Sequence, residues 1–261
     1  MTVDNLDSAR PHIGRIYDFI LGGHHNFEVD RSAAAEMLKL VPRYPELARL
    51  NRWFLQLIAM RWAEAKVQNL LDLGSGLPTQ GHFNEHLPKA RILFSDKDEL
   101  SVSYGQKILQ DCAHQRYVQV DLLQPEPLLK SAEEFFGKGA QMAIGFIGIS
   151  YLLPDHVVQQ IAQFTHAMCA PGSELAVSGG ELSKRDTASA TKLDFAAQVS
   201  RLIRAPLYLR TPSELAQLLL PWRVVEQNRL EDWLDMKGFL PLKSQNTDAL
   251  DVDIYGVIAT R

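Results

Sequence analysis

Three acidic residues close three successive apolar runs: Asp72 in "NLLDLGSGLPT", Asp96 in "RILFSDKDE" and Asp121 in "YVQVDLL". Gly74 and Gly76 follow the first acid, and a strand that ends in a tight glycine turn lets backbone N–H groups approach a ligand at the carboxyl edge of an open α/β sheet. An acid two residues before the first glycine suits the positive end of a zwitterion better than a pyrophosphate. Asp96 lies 20 residues beyond Gly76, where a strand-tip carboxylate can accept both hydroxyls of a ribose. Asp121, at the next tip, stands where a carboxylate can accept from an exocyclic adenine amine. Each acid alone also reads as a solvated strand end or a helix cap. Together they converge on one crevice.

The elements that must position these tips follow from periodicity. Ile13, Ile16, Tyr17 and Ile20 recur at helical spacing before Gly22-Gly23. A second helix, capped by Asp30, runs through "RSAAAEMLKLV", and Leu47, Leu50, Phe54, Leu57, Ile58, Trp62 and Ala65 mark a long third one. From Asn69 onward short apolar runs alternate with helical stretches, the pattern of βαβ units around a parallel sheet. Beyond Gly180 come two helices, the second capped by Thr211 and started by Pro212, and two closing strands, "RVVEQ" and "DIYGVIAT", separated by an acidic loop. The expected organisation is an N-terminal helical cap or lid over residues 1–67 and a core over 68–261 with a helical insert at about 181–220.

Composition narrows the function. Lys+Arg 27 against Asp+Glu 31 leaves a net charge of -4, which gives no broad field for a polyanion, so nucleic acid is not an expected partner. Cys112 and Cys169 have no paired spacing, and a reducing cytoplasm fits. No apolar run is long enough to span a bilayer, and the acidic start lacks the basic and apolar regions of a signal peptide, so no membrane is expected.

At these residues the chain resembles S-adenosylmethionine-dependent methyltransferases of the class I, Rossmann-like type. More narrowly, "RIYDFILGGHHNFEVDR", "LNRWFL", "LDLGSGLPT" and "YLLPD" resemble a bacterial S-adenosyl-methyltransferase family, formerly catalogued as a domain of unknown function and abundant in actinomycetes. The resemblance implies a mostly parallel sheet with an antiparallel last strand and S-adenosyl-L-methionine as cofactor. It also implies a site in which Asp72, Gly74, Ser75 and Gly76 border the methionine end, Asp96 binds the ribose and Asp121 lies beside the adenine, with Lys97 and Leu122 also at the cofactor. The cap then has a task as a lid, hinged at Gly22-Gly23, that excludes water.

Departures from the family pattern concern the acceptor side. His24-His25 replace Lys-Asp, His82-Phe83-Asn84-Glu85 reverses an Asn and a His, and Ser150 stands where a His is common. If the nucleophile must lose a proton, His25 or His24 is the base to test, with Tyr151 behind them. Arg15 and Asn26 admit both a structural and a cofactor-binding reading, because polar groups around a Gly-Gly break must be paired when buried. Arg15, Asp18, Asn51 and Arg52 also suit a network tying cap to sheet. His82 and His86 share a helical face, but no third metal ligand follows, and no metal is expected. Lys184, Arg185, Arg201, Arg204 and Arg210 read as a solvated helix face. The expected activity is methyl transfer to a small, partly apolar acceptor. The alternatives are a cofactor-binding regulatory or scaffold protein without transfer and, disfavoured by Thr79 in place of a third glycine and by Asp72, a nicotinamide oxidoreductase.

Overall fold

The computed structural model describes residues 10–77, 81–182, 189–236 and 252–261, with backbone alone for 189–193. Pro78, Thr79, Lys184, Arg185 and residues 237–251 of the acidic loop before the last strand lie outside the described residues, while its first part forms the short helix Leu230–Trp233. Seven strands form one sheet in the order β3-β2-β1-β4-β5-β7-β6. They are β1 (Asn69–Leu73), β2 (Arg91–Asp96), β3 (Gln115–Gln119), β4 (Ala143–Phe146), β5 (Glu174–Leu182), β6 (Arg223–Arg229) and β7 (Val252–Thr260). The first five run parallel, and β7 lies antiparallel between β5 and β6. The chain therefore has the expected α/β architecture, a mostly parallel sheet with an antiparallel last strand.

Strand alternation decides which residues meet which helices. Leu71 and Leu73 join the core under the helices Glu126–Phe136 and Asp155–Met168. Leu70 joins the opposite core, with Phe54, Ile58 and Trp62 of the long helix Tyr44–Glu64, here α3. By the same alternation Asp72 is directed to the α3 side, where an apolar residue would otherwise sit. The far end of α3 is fixed by Trp62 Nε1, which donates to Glu174 Oε1 at 2.6 Å, and by Arg61, which bridges Glu174 and Glu226.

The first two helices, α1 (Ile13–Ile20) and α2 (Glu28–Leu40), join α3 and the insert helix Ser189–Ile203 in a third core. It is built from Ile16, Met37, Leu47, Phe195, Val199 and Ile203. Asp30 differs from its expected place. It lies inside the first turn of α2, where its carboxylate accepts from the N–H groups of Phe27 and His12 and from Arg15 Nε.

Arg210 also differs from the sequence expectation. Instead of lying on a solvated face it is 6% exposed. Its guanidinium donates to the carbonyls of Ser150 and Leu153 and to Asp155 Oδ1, holding the turn after β4 that carries Tyr151. The backbone of the insert reinforces this, because Tyr208 N donates to Tyr151 O at 2.7 Å. Truncating Arg210→Met strands two carbonyls and should cost about 2–3 kcal/mol, read as a lower urea midpoint at unchanged slope. A loss under about 0.5 kcal/mol would return Arg210 to the solvated surface.

Candidate active site

The carboxyl ends of β1 and β2 are locked together before any ligand is considered. Gly74 and Gly76 both have positive φ, 65° and 66°, which turns the chain sharply, and the N–H of Ser75 donates to Ser95 O. Ser75 Oγ donates to Asp72 O and accepts from Ser95 N, while Ser95 Oγ donates to the same Asp72 carbonyl. Asp96 completes the junction: Oδ2 accepts from Gly76 N at 2.8 Å and Oδ1 from Asp98 N at 2.9 Å. Tyr117 OH donates to Gly76 O across the turn. A Cβ on Gly76 would meet nothing within 4 Å, so space lies open beside this turn.

That space is a cavity of about 870 Å³. Gly74, Ser75, Gly76, Asp96, Lys97, Asp121 and Leu122 line its floor, and His24, His25 and Tyr151 line its upper walls. Ten of the expected site residues thus share one hollow. Asp72, Arg15 and Asn26 are not among its lining residues. Asp72 is buried beneath the turn, 3% exposed. Arg15 is held by Asp30 and by the carbonyl of Arg10. Asn26 Nδ2 donates to Asp18 Oδ2 and to Gly23 O, and its Oδ1 accepts from Arg31 Nη1. Arg15 and Asn26 therefore build the cap, and the reason is local: each faces a carboxylate of the cap itself.

Asp18 organises the loop above the cavity. Its Oδ2 accepts from His25 N at 2.8 Å, and a Cβ on Gly23 would lie 2.1 Å from its Oδ1. Only glycine allows that approach. His25 sits with its ring edge-on to Tyr104, centroids 4.6 Å apart, and its Nδ1 4.0 Å from Asp18 Oδ1. His24 is exposed. Burial pushes the Tyr151 hydroxyl well up, with Tyr44 and Tyr17 adding to it. A phenol held protonated donates a hydrogen bond and is a poor base, which removes Tyr151 from that role.

Three lining residues, His12, Asn51 and Arg52, were not expected there. His12 Nδ1 lies 3.9 Å from Asp98 Oδ1, so the start of α1 reaches the tip of β2; burial lowers its pKa, opposed by Asp98. Asn51 and Arg52, expected in a network between cap and sheet, stand on the cavity wall, where both also face Tyr17 of α1. Both carry a buried atom without a partner, Asn51 Oδ1 and Arg52 Nη1, as does Asp72 at Oδ2.

The electrostatics of this wall are unbalanced. Burial pushes the Asp72 carboxyl up to about 7, against the pull of the Ser75 hydroxyl, and the Asp96 charge adds to the rise while Arg52 opposes it. His82, 3.7 Å from Asp72, offers no compensating charge. Its Nδ1 accepts from Phe83 N, which leaves Nε2 to donate to Ser75 O. Burial, with help from Arg52, lowers its pKa to about 3. His82 is a neutral strut under the glycine turn.

The residues 1–237 match the model of the family described as S-adenosyl methyltransferase. A crystal structure of a candidate methyltransferase from Thermobifida fusca is 26% identical, with a TM-score of 0.81 over 98% of this chain and 96% of that one. A DUF574 family protein from Streptomyces avermitilis is 24% identical, with a TM-score of 0.76 over 98% and 99% of the two chains. Geranyl diphosphate C-methyltransferase from Streptomyces coelicolor, solved with Mg2+, geranyl diphosphate and S-adenosyl-L-homocysteine, shares the fold at 14% identity and a TM-score of 0.53, over 100% of this chain and 93% of that one. No curated protein matches the chain significantly.

A carboxyl whose folded pKa is raised binds its proton more tightly in the folded state, so it lowers stability progressively as pH rises from about 4 to about 7 and no further above that. Asp72→Asn should therefore raise the Tm of the ligand-free protein at pH about 7.5 and change it little at pH about 4. Equal shifts at both pH values would show that the Asp72 carboxyl is not perturbed.

Proposed function

The chain belongs to the S-adenosyl methyltransferase family, and from that membership we propose that it transfers the methyl group of S-adenosylmethionine to a small-molecule acceptor enclosed beside the glycine turn. The observation that carries this reading is the cavity of about 870 Å³, floored by the strand tips and walled by α1, its following loop and α3. Its volume falls in the range of small-ligand sites. A covered hollow of this kind suits a compact acceptor better than a macromolecular chain.

The unpaired buried atoms fit the cofactor. A zwitterionic amino-acid end brings a carboxylate for Arg52 Nη1 and an ammonium for the field of Asp72, relieving both costs of burial. Asp96 keeps lone pairs beyond those used by Gly76 and Asp98, enough to accept from two ribose hydroxyls, with Lys97 beside it. Asp121 and Leu122 flank the adenine, and Gly74, Ser75 and Gly76 bring backbone close to the methionine end. Bound S-adenosylmethionine supplies a methyl group already activated by its sulfonium. What the chain adds is alignment and exclusion of water.

The cap supplies the second of these. Residues 10–31 act as a lid whose loop is clamped by Asp18 and whose first helix reaches the β2 tip through His12. His25, and His24 at the rim, are the candidate bases on this side of the cavity. Free Cys112 and Cys169 fit work in a reducing cytoplasm.

S-adenosylhomocysteine should bind in the low micromolar range, about -7 to -8 kcal/mol by calorimetry. Asp96→Ala should remove about 2–3 kcal/mol of that, and Arg52→Met should weaken binding about ten-fold. Absence of heat and of thermal shift with the parent protein at millimolar ligand would reject the reading, and an Asp96→Ala protein binding like the parent would move the ribose elsewhere. If residues 10–31 form the lid, the ligand should slow their amide hydrogen exchange far more than that of β1 and β4. Unchanged exchange in that segment would make it a fixed structural cap.

A further inference from the structure

Behind the large cavity lies a second, of about 80 Å³, walled by the apolar side chains of α1, α2, α3 and the insert helix. Tyr17, Tyr44, Tyr151 and Asn51 line both hollows and form the neck between them. Among the described residues that line the small chamber there is no Asp, Glu, Lys, Arg or His.

The orientation of the Asn51 amide is fixed by its neighbours. Tyr17 OH donates to Ala48 O at 2.9 Å, so the phenol oxygen is left to accept, and Asn51 Nδ2 faces it at 3.5 Å. Asn51 Oδ1 is then an acceptor, without a partner, on a residue only 8% exposed. Such an atom calls for a donor.

We propose that this chamber and neck bind the methyl acceptor, and that the acceptor is a neutral primary or secondary amine on a short branched hydrocarbon group, its N–H donating to Asn51 Oδ1. The proposal rests on the methyltransferase reading above. The space decides the hydrocarbon: an apolar cavity of about 150 Å³ takes benzene, so this one takes roughly half as much, a branched group of three or four carbons. The absence of charge decides the protonation state, because an apolar wall disfavours an ammonium and leaves the nitrogen lone pair free.

The chemistry separates amine from alcohol. As the nitrogen lone pair forms the N–C bond, the S–CH3 bond breaks and its electron pair stays on sulfur. The nitrogen becomes cationic while its N–H remains on Asn51, and it sheds one proton to water afterwards. A hydroxyl would have to lose its proton as the C–O bond forms. Burial holds Tyr44 and Tyr151 protonated, with Tyr17 adding to both and Tyr44 adding to Tyr151, and Tyr17 OH is engaged with Ala48 O, so the chamber offers no group to take it.

The test uses isobutylamine and isobutanol, matched in shape, with the full chain. Calorimetry first measures S-adenosylhomocysteine alone, then each compound with the S-adenosylhomocysteine-loaded protein, and mass spectrometry follows methylation from S-adenosylmethionine. The amine should bind the loaded protein and be methylated at least about ten-fold faster than the alcohol. Asn51→Leu should keep S-adenosylhomocysteine affinity while losing about ten-fold or more in amine binding. Val199→Phe, which fills the chamber from the insert helix, should do the same and guards against a folding defect at position 51. Failure of the parent protein to bind S-adenosylhomocysteine overturns the methyltransferase reading and this inference with it. Normal S-adenosylhomocysteine binding without amine binding, equal transfer to the alcohol, or loss of S-adenosylhomocysteine affinity in Asn51→Leu overturns this inference alone.

Discussion

The contact on which the site depends is the acceptance of Gly76 N by Asp96 Oδ2. It couples the turn after β1 to the turn after β2, and everything that faces the cavity floor is placed relative to that junction. A carboxylate does this better than an amide or hydroxyl because it accepts on both oxygens at once, here from Gly76 and Asp98, and retains lone pairs for a ligand. The two serines add rigidity without adding charge. Ser75 and Ser95 both donate to Asp72 O, so the backbone at the tip of β1 has little freedom left. Rigid donors and acceptors cost less reorganisation when a ligand arrives.

Beneath that rigid turn the structure carries a local conflict. Sheet alternation puts Asp72 on the side of α3, where Phe54 and Trp62 make an apolar core, and no basic group pairs with its Oδ2. His82, the nearest candidate, is committed in the neutral form to Ser75 O. Arg52 is close enough to be felt electrostatically, yet its own Nη1 also lacks a partner. An unpartnered carboxyl oxygen beneath the turn and an unpartnered guanidinium nitrogen on the cavity wall lower the stability of the ligand-free protein. They are also the arrangement that a zwitterion completes, so stability is given up where binding recovers it.

The strand tips were legible because short continuous apolar runs end at identifiable residues, and an acid at each end has few places to go. The cap was legible as helix but not in its contacts. Polar side chains in "GGHHNF" must be paired, but sequence does not say with what, and Asp18 and Asp30 claimed Asn26 and Arg15 from within the cap. Arg210 misled for the opposite reason: amid four other basic residues it read as surface, whereas two buried carbonyls drew it inward. Asn51 left a usable signal. It shares the helical face of Leu47, Phe54 and Ile58, and a polar residue on that apolar stripe marks a place where the packed side meets a cavity. The insert was harder to interpret, since its role rests on contacts with helices more than a hundred residues away.

Those contacts give the molecule two separable halves of chemistry. The floor of the large cavity is made by strand tips and the turns that follow them, all anchored in the sheet. The small chamber is made mainly by helices of the cap and insert, which share a core with each other through Ile16, Met37, Phe195 and Val199, and it is closed by Tyr151, Gly180, Val252 and Ile254 from the sheet side. A change in volume at Val199 or Ile203 is felt first in that helical core, because close-packed side chains pass strain to their immediate neighbours. It reaches the sheet through α3, whose far end is pinned there by Trp62 and Arg61, and through the backbone contacts of the insert with Tyr151 and Gly180. If cofactor and acceptor divide between the two hollows as proposed, acceptor choice can drift by repacking of α1, α2 and the insert while the strand-tip floor stays fixed, and Asn51, which borders both hollows from α3, is the residue at which the two requirements meet.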